Sequence, residues 1–299
     1  MFQNDYDVLT AYEAMDYLGI GENTIYKLLK SGELGAFRIG RTWKIPRKEL
    51  DKYIDNSVKK NMKGLPIIDN YNYLKHLTVY MEGYVRTGKE SVLHKITATG
   101  FFAILIINGK ETNIILTANH FAEKLNRVTF WLRYMDEDSL VTVPISSKVE
   151  WNYCDDADIA YCELEPIEKK FKKITGNSIY ASVLIEDKIL KQFELDDISL
   201  LDEVITAGYP NGESSTHHKF PIFKKGNIAS LPKDCFEDKE GYIDLSAIGG
   251  CSGSPVFLNT TPPKFLGVLV SGAADSSSES SCVSMYVPGY MMLDFVKEK

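Results

Sequence analysis

"GGCSGSPVFL", residues 249–258, is the stretch on which the reading of this chain turns. Either Ser252 is an exposed nucleophile presented on a glycine-rich turn, or the segment is only a turn that enters a buried strand. The second reading needs nothing more. The first needs a base, an acid and a suitable frame elsewhere in the chain. The frame is legible on both sides of the motif. From residue 77 onward, short apolar or alternating runs such as "FFAILII" (101–107), "NIILTA" (113–118), "VTFWLRY" (128–134), "DEVITAGY" (202–209) and "KFLGVLV" (264–270) are separated by turn residues. This is the pattern of an all-β barrel or sandwich. Helix is expected only at "LDDISL" (195–200) and at the terminal "GYMMLDFVKEK".

A base and an acid stand in suggestive places. His120 ends the run that begins at "NIILTA", and Asp158 precedes the alternating segment "DIAYCEL". Serine is a weak nucleophile at neutral pH, so a neutral imidazole must take its proton and a carboxylate must hold that imidazole in the right tautomer. His120 fits the base and later the acid, Asp158 the orienting group, with Asp155 and Asp156 as alternative acids. Each residue has a plainer reading: a satisfied histidine, a turn cap, a turn serine. Their occurrence together in the order His, Asp, Ser favours the catalytic one. Gly250, two residues before Ser252, lacks a Cβ, so its N–H and that of Ser252 are free to converge on a developing oxyanion.

With "ATGFFAI" (98–104), "TANH" (117–120), "DIA" (158–160), "TAGYP" (206–210) and "GCSGSP" (250–255), about 220 residues resemble the trypsin-like serine proteases. The resemblance implies an all-β double-barrel, chymotrypsin-like domain, hydrolysis of a protein or peptide substrate through an acyl-enzyme, and no metal or cofactor. Spacing from Ser252 puts Ser246 at the base of the substrate pocket and Leu269 and Gly272 on its wall, which favours an apolar or small side chain. Two departures matter. Cys251 stands where digestive members carry an aspartate that pairs with a new N-terminus, and another module precedes the barrels. Cys251 is not the expected nucleophile, because the glycine that follows the nucleophile in related cysteine enzymes here follows Ser252. His76, His94, His217 and His218 lack flanking strand patterns and are expected at the surface.

That other module occupies residues 8–57. Thr10 and Glu13 have capping-box spacing ahead of Ala11, Ala14, Met15 and Leu18, so a helix begins near Ala11. "ENTIYKLLKSG" repeats the period with Ile25, Leu28 and Leu29 inward and Gly32 as a stop. "AFRIGRTWKIP" alternates across a turn at Gly40-Arg41, and a last helix follows Pro46. The segment resembles the excisionase-like, MerR-type winged helix-turn-helix modules. That resemblance places Asn23, Thr24, Tyr26 and Lys27 on a recognition helix and Arg38, Arg41 and Lys44 on a wing, as contacts to double-stranded DNA. A single copy with little net charge binds DNA weakly, which makes a homodimer useful.

Composition agrees with a two-part chain. Of 299 residues 44% are hydrophobic and 25% charged, enough for a substantial core. Residues 1–63 hold 11 Lys/Arg and 9 Asp/Glu, a net of +2, whereas the remainder holds 23 and 32, a net of −9. The expected division is a winged module at 1–57, a connector at 58–76 and a protease-like domain at 77–299. No basic and apolar leader opens the chain, and no apolar run reaches the ~18 residues that cross a bilayer, so a cytoplasmic protein without a membrane partner is expected. Five cysteines without ligand spacing indicate neither disulfides nor zinc. The rival to an intracellular endopeptidase is a DNA-binding transcriptional regulator whose barrel is a non-catalytic sensor or peptide-binding module. A third option is that the winged module binds a protein.

Overall fold

The computed structural model describes residues 8–18, 20–40, 42–50, 52–53, 72–87, 92–235, 239–260, 262–272 and 283–297. The chain divides into two compact units, Met1–Ile67 and Ile68–Lys299. In the first, Thr10 and Glu13 form the expected capping box. The Thr10 N–H donates to Glu13 Oε2 at 2.8 Å, and the Glu13 N–H donates to Thr10 Oγ1 at 3.3 Å. Helix α1 (Ala11–Leu18) follows, then α2 (Glu22–Ser31), which ends at Gly32 in the left-handed conformation. Ala11, Ala14, Ile25, Leu28 and Leu29 pack with Leu34, Ile45 and Leu50 into one small core. The strand β1 (Val8–Thr10) was not anticipated. It adds to the expected hairpin of β2 (Phe37–Ile39) and β3 (Thr42–Pro46), giving the order β1-β3-β2. Residues 47–50 and 52–53 are helical, as expected after Pro46.

The second unit opens with a helix, Asn72–Leu77, so the last residues of the expected connector belong to this unit. Residues 58–71 lie outside the described ones. The first sheet comprises β4 (Thr78–Thr87), β5 (Val92–Ile107), β6 (Lys110–Thr117), β7 (Arg127–Asp136), β8 (Ser139–Lys148), β9 (Asn152–Tyr153), β10 (Ala160–Glu163) and β11 (Leu184–Ile185). Its order is β8-β7-β4-β5-β6-β10-β9, with β11 beside β5. The β-rich, barrel-containing domain expected from sequence is present, and in this first half the ladder does not close among the described residues. Its two end strands, β8 and β9, are nevertheless joined by only residues 149–151, whose reach is roughly 10 Å. The sheet therefore curls until its edges meet at that corner. Six further strands form a closed barrel in the order β12-β13-β14-β17-β16-β15. They are β12 (Glu203–Gly208), β13 (Ile222–Ile228), β14 (Gly241–Asp244), β15 (Pro255–Leu258), β16 (Lys264–Gly272) and β17 (Val283–Pro288).

The continuous apolar runs have a simple cause. In β5, Ala98 and Phe102 face the interior of the curled sheet, whereas Phe101, Ala103, Leu105 and Ile107 face outward into a second core. That second core also holds Ile205, Phe257, Phe265 and Val287 of the closed barrel and Met292, Leu293, Phe295 and Val296 of the terminal helix Gly289–Lys297. A strand with both faces buried cannot alternate with polar residues. The helix Glu165–Thr175 was missed by the sequence reading. It carries proline in its first turn, stops at Gly176 in the left-handed region, and buries Ile167 and Phe171 four residues apart. "LDDISL" lies at the end of a 3-10 helix, Gln192–Asp197.

Thr10→Ala should weaken the first unit by about 1 kcal/mol through loss of the cap. Hydrogen exchange on the full chain should then show faster exchange of the α1 amides while those of β5 are unchanged.

Candidate active site

The catalytic histidine expected from sequence sits on a single helical turn, Asn119–Ala122, at the end of β6. Asp158 holds that turn twice. Its Oδ1 accepts the His120 backbone N–H at 2.8 Å, and its Oδ2 lies 2.7 Å from His120 Nδ1. Its carbonyl oxygen also accepts the Asn119 N–H at 3.2 Å. With Nδ1–H donated to the carboxylate, the Nε2 side of the ring faces away from Asp158. The alternative acids are placed elsewhere: Asp156 pairs with Lys239 at 3.2 Å, and Asp155 is exposed.

Ser252 and His120 line one cleft of about 510 Å³, together with Gly249, Gly250, Asn211, Thr97 and Tyr80. No hydrogen bond joins Ser252 Oγ to His120 among the described residues. The backbone carbonyls of 249–252 each have a partner. The carbonyl of Gly249 accepts from the Asn211 N–H at 2.5 Å, that of Gly250 from Thr99 Oγ1 at 2.8 Å, that of Cys251 from the Ser254 N–H at 3.0 Å, and that of Ser252 from the Thr99 N–H at 3.0 Å. The N–H groups of Cys251 and Gly253 donate to Ile248 and Leu269. Those of Gly250 and Ser252 have no protein partner among the described residues. In a trans peptide the C=O and the next N–H point in opposite directions, so fixing the carbonyls of Gly249 and Cys251 fixes where these two free donors aim.

The glycines are required by space as well as by conformation. Gly250 has φ +90°, and a Cβ there would collide with the Tyr209 carbonyl oxygen. Gly253 has φ +85°, and its Cβ would collide with the Thr99 carbonyl oxygen. Thr99, wholly buried, is a residue that sequence reasoning missed. Besides its bonds to Gly250 and Ser252, its hydroxyl accepts the Tyr209 N–H at 3.1 Å, and its carbonyl accepts from Thr117 Oγ1 at 2.9 Å. Only the threonine pair in "TATGFF" and "LTANH" hinted at it.

The expected pocket residues do not gather in this cleft. Leu269 is fully buried in the core of the closed barrel, beneath the turn that carries Ser252. Ser246 is exposed, with its carbonyl accepting from Lys224. Gly272 ends β16, next to residues outside the described ones. Cys251 is a packed side chain in the same barrel core, and burial raises its thiol pKa. His94 and His217 are exposed and His218 is half-buried, whereas His76 corrects the expectation of a surface residue. It packs edge-on against Tyr180 and Phe220, and its pKa falls to about 4 through burial, Arg133 and Lys75. In the first unit, Asn23, Thr24, Tyr26 and Lys27 lie on the exposed face of α2. Arg38 stacks 4.2 Å over Trp43, Lys44 is half-buried, and Arg41 lies outside the described residues. No helix among the described residues is long and apolar enough to cross a membrane.

Residues 8–57 match the family model described as a helix-turn-helix domain. A curated relative, "Probable excisionase" from Saccharopolyspora erythraea, is 46% identical over 46 residues, which are 15% of this chain and 47% of that protein. The chain thus spans about half the length of the curated relative it matches. Among solved structures, a thermostable serine protease, AL20, from an extremophilic microorganism is similar at a TM-score of 0.44 and 13% identity, over 75% of this chain and 96% of that one. The N-terminal region is an excisionase-like helix-turn-helix domain, and the second unit is β-rich and contains a closed barrel.

Thr99→Val keeps the side-chain shape but leaves the Gly250 carbonyl and the Tyr209 N–H unpaired in the interior. A loss of about 1–3 kcal/mol in denaturant unfolding is expected. His76 gives a pH effect. Its folded pKa, about 4, lies below its ordinary value of 6.5, so the unfolded chain binds the extra proton between these limits. The stability due to neutral His76 is complete above pH ~6.5 and is lost as pH falls toward 4. Melting curves of His76→Gln should show a shallower decline across that window than the native protein.

Proposed function

We propose that the second unit is a serine endopeptidase and that the first unit binds double-stranded DNA. The observation that carries the first half is the pairing of an Asp158-held His120 with the N–H groups of Gly250 and Ser252, unpartnered among the described residues, at the same cleft. In this reading Nε2 of His120 takes the Ser252 hydroxyl proton as Oγ bonds to the scissile carbonyl carbon. The N–H groups of Gly250 and Ser252 receive the negative charge that develops on the carbonyl oxygen. His120 then gives the proton to the leaving amine as the C–N bond breaks, and water repeats the sequence on the acyl-enzyme. Each oxyanion donor is worth about 3 kcal/mol of barrier. The chemistry asks for no cofactor.

DNA binding rests on the exposed face of α2, which offers Asn23 and Thr24 for base edges, with Lys27 and the wing residues Arg38, Arg41 and Lys44 for phosphates. A second copy would double those phosphate contacts, and a chain that reads DNA works in the cytoplasm. A rival reading, in which the barrel holds a peptide without cutting it, draws on one observation: Ser252 and His120 are not hydrogen-bonded.

Intact mass after fluorophosphonate treatment separates the two readings. A single adduct on the native protein, none on Ser252→Ala and a rate roughly ten-thousand-fold lower in His120→Ala are expected. An unlabelled native protein, with and without duplex DNA, would sink the peptidase reading. For DNA, the logarithm of affinity should fall linearly with the logarithm of salt, and Lys27→Ala should reduce that slope by about one.

A further inference from the structure

Residues 64–299 are acidic, with a net charge of −9, yet one side of the cleft is not. Tyr80 lines the cleft, and its ring is the first of a line of aromatic faces covered by cations. Lys219 Nζ lies 5.2 Å from the Tyr80 ring and 4.9 Å from that of Trp131. Further along, Lys75 Nζ lies 4.0 Å from the Phe220 ring, with the Arg133 guanidinium 5.3 Å from the same ring. At the cleft end Lys124 is exposed, without an ion pair among the described residues. Among the described residues Glu82 stands beside Tyr80, where it is bound to Lys95 at 2.6 Å.

Arg133 explains why the charges stay together. It is 2% exposed, and its guanidinium donates to the carbonyls of Lys75, Thr78 and Lys219, all neutral acceptors. It thus staples the two lysine backbones side by side, and its own charge is not cancelled by a carboxylate. The Lys219 carbonyl also accepts from Tyr209 Oη at 2.9 Å, and Lys219 holds φ +53°, a region a lysine rarely adopts. Lysine stems often lie on aromatic rings only to cover them. Here three cations, one of them buried, share such a cluster with no acid among the described residues within ion-pair distance of Lys75, Arg133 or Lys219. Burial, with these cations behind it, lowers the pKa of both His76 and His218 beside them.

We propose that the polypeptide bound at the Ser252 cleft carries an acidic stretch on the Tyr80 side, which lies along Lys219 and Lys75. The inference rests on the reading of the cleft as a peptide-binding active site and names the substrate class for it. Carboxylates reaching this surface meet ammonium groups already ordered on aromatic rings, over a buried charge that has no counter-ion among the described residues.

The test uses full-length Ser252→Ala, so that it does not depend on turnover. Fluorescein-labelled oligoglutamate and oligoserine peptides of equal length are titrated by anisotropy at low and high salt. Expected are salt-sensitive binding of oligoglutamate, little binding of oligoserine, and a loss of roughly tenfold when Lys75→Glu and Lys219→Glu are added together. Lys75→Gln with Lys219→Gln should lose less and melt at the parent's temperature, which separates lost charge from lost fold. Equal affinity for both peptides, or oligoglutamate binding unmoved by either double substitution, would overturn the proposal. So would duplex DNA that loses as much affinity on the same substitutions, since the surface would then be a phosphate contact. If fluorophosphonate labelling fails while charge-dependent oligoglutamate binding persists, the surface stands and only the peptidase reading falls.

Discussion

The hydrogen bonds of Thr99 are the constraint on which the candidate site depends. A loop of the closed barrel carries Ser252, whereas His120 and Asp158 belong to the curled sheet, so the site exists only where the two halves meet. Thr99 stands on β5 of the curled sheet and reaches both the Gly250 and the Ser252 carbonyls of the other half. Gly253 makes the approach close enough, because any side chain there would strike the Thr99 carbonyl oxygen. Beneath this contact lies the core shared by Phe101, Phe257, Phe265 and the terminal helix, which keeps the halves from sliding. Burial and hydrogen bonding therefore act in series: the shared core sets the spacing, and Thr99 converts that spacing into a fixed loop.

Those links differ in how they appear in a sequence. The capping box, the left-handed stop at Gly32 and the hairpin turn at Gly40 are local devices, and local residues suffice to read them. Ser252, His120 and Asp158 also stand beside local runs, and the structure places the first two in one cleft with Asp158 bonded to His120. Leu269 and Ser246 do not line that cleft, and a pocket is assembled from segments whose relative placement no spacing along the chain encodes. Helix Glu165–Thr175 was hidden by its own composition: four lysines and two glutamates leave only Ile167 and Phe171 buried, a short apolar signal among long strand runs. Thr99 was illegible for a different reason. A threonine within a strand is ordinary there, and its importance comes from a partner about 150 residues away.

Charge follows the same division between local and assembled features. The net of −9 over residues 64–299 says nothing of where a cation stands, and Arg133 reads as one more polar residue within "VTFWLRY". Folding turns it inward, where a carboxylate partner would have been the usual arrangement. Carbonyl oxygens satisfy its donors without neutralising it, so the strand order, rather than the composition, creates the positive strip within an otherwise acidic unit.

The unformed contact between Ser252 and His120 takes its meaning from what is already formed. Turning a serine hydroxyl about χ1 requires a change of rotamer, with a cost on the order of 1 kcal/mol if the new position is off the staggered minimum. Turning the Gly250 N–H away would break the bond between the Gly249 carbonyl and the Asn211 N–H, and a left-handed turn at Asn211 holds that donor in place. Backbone dipoles fixed before substrate arrives need no reorganisation as charge develops, which is where most of such a barrier is lowered. The costly half of the proposed machinery is thus built into the fold, and the adjustable half is the side chain that moves most easily.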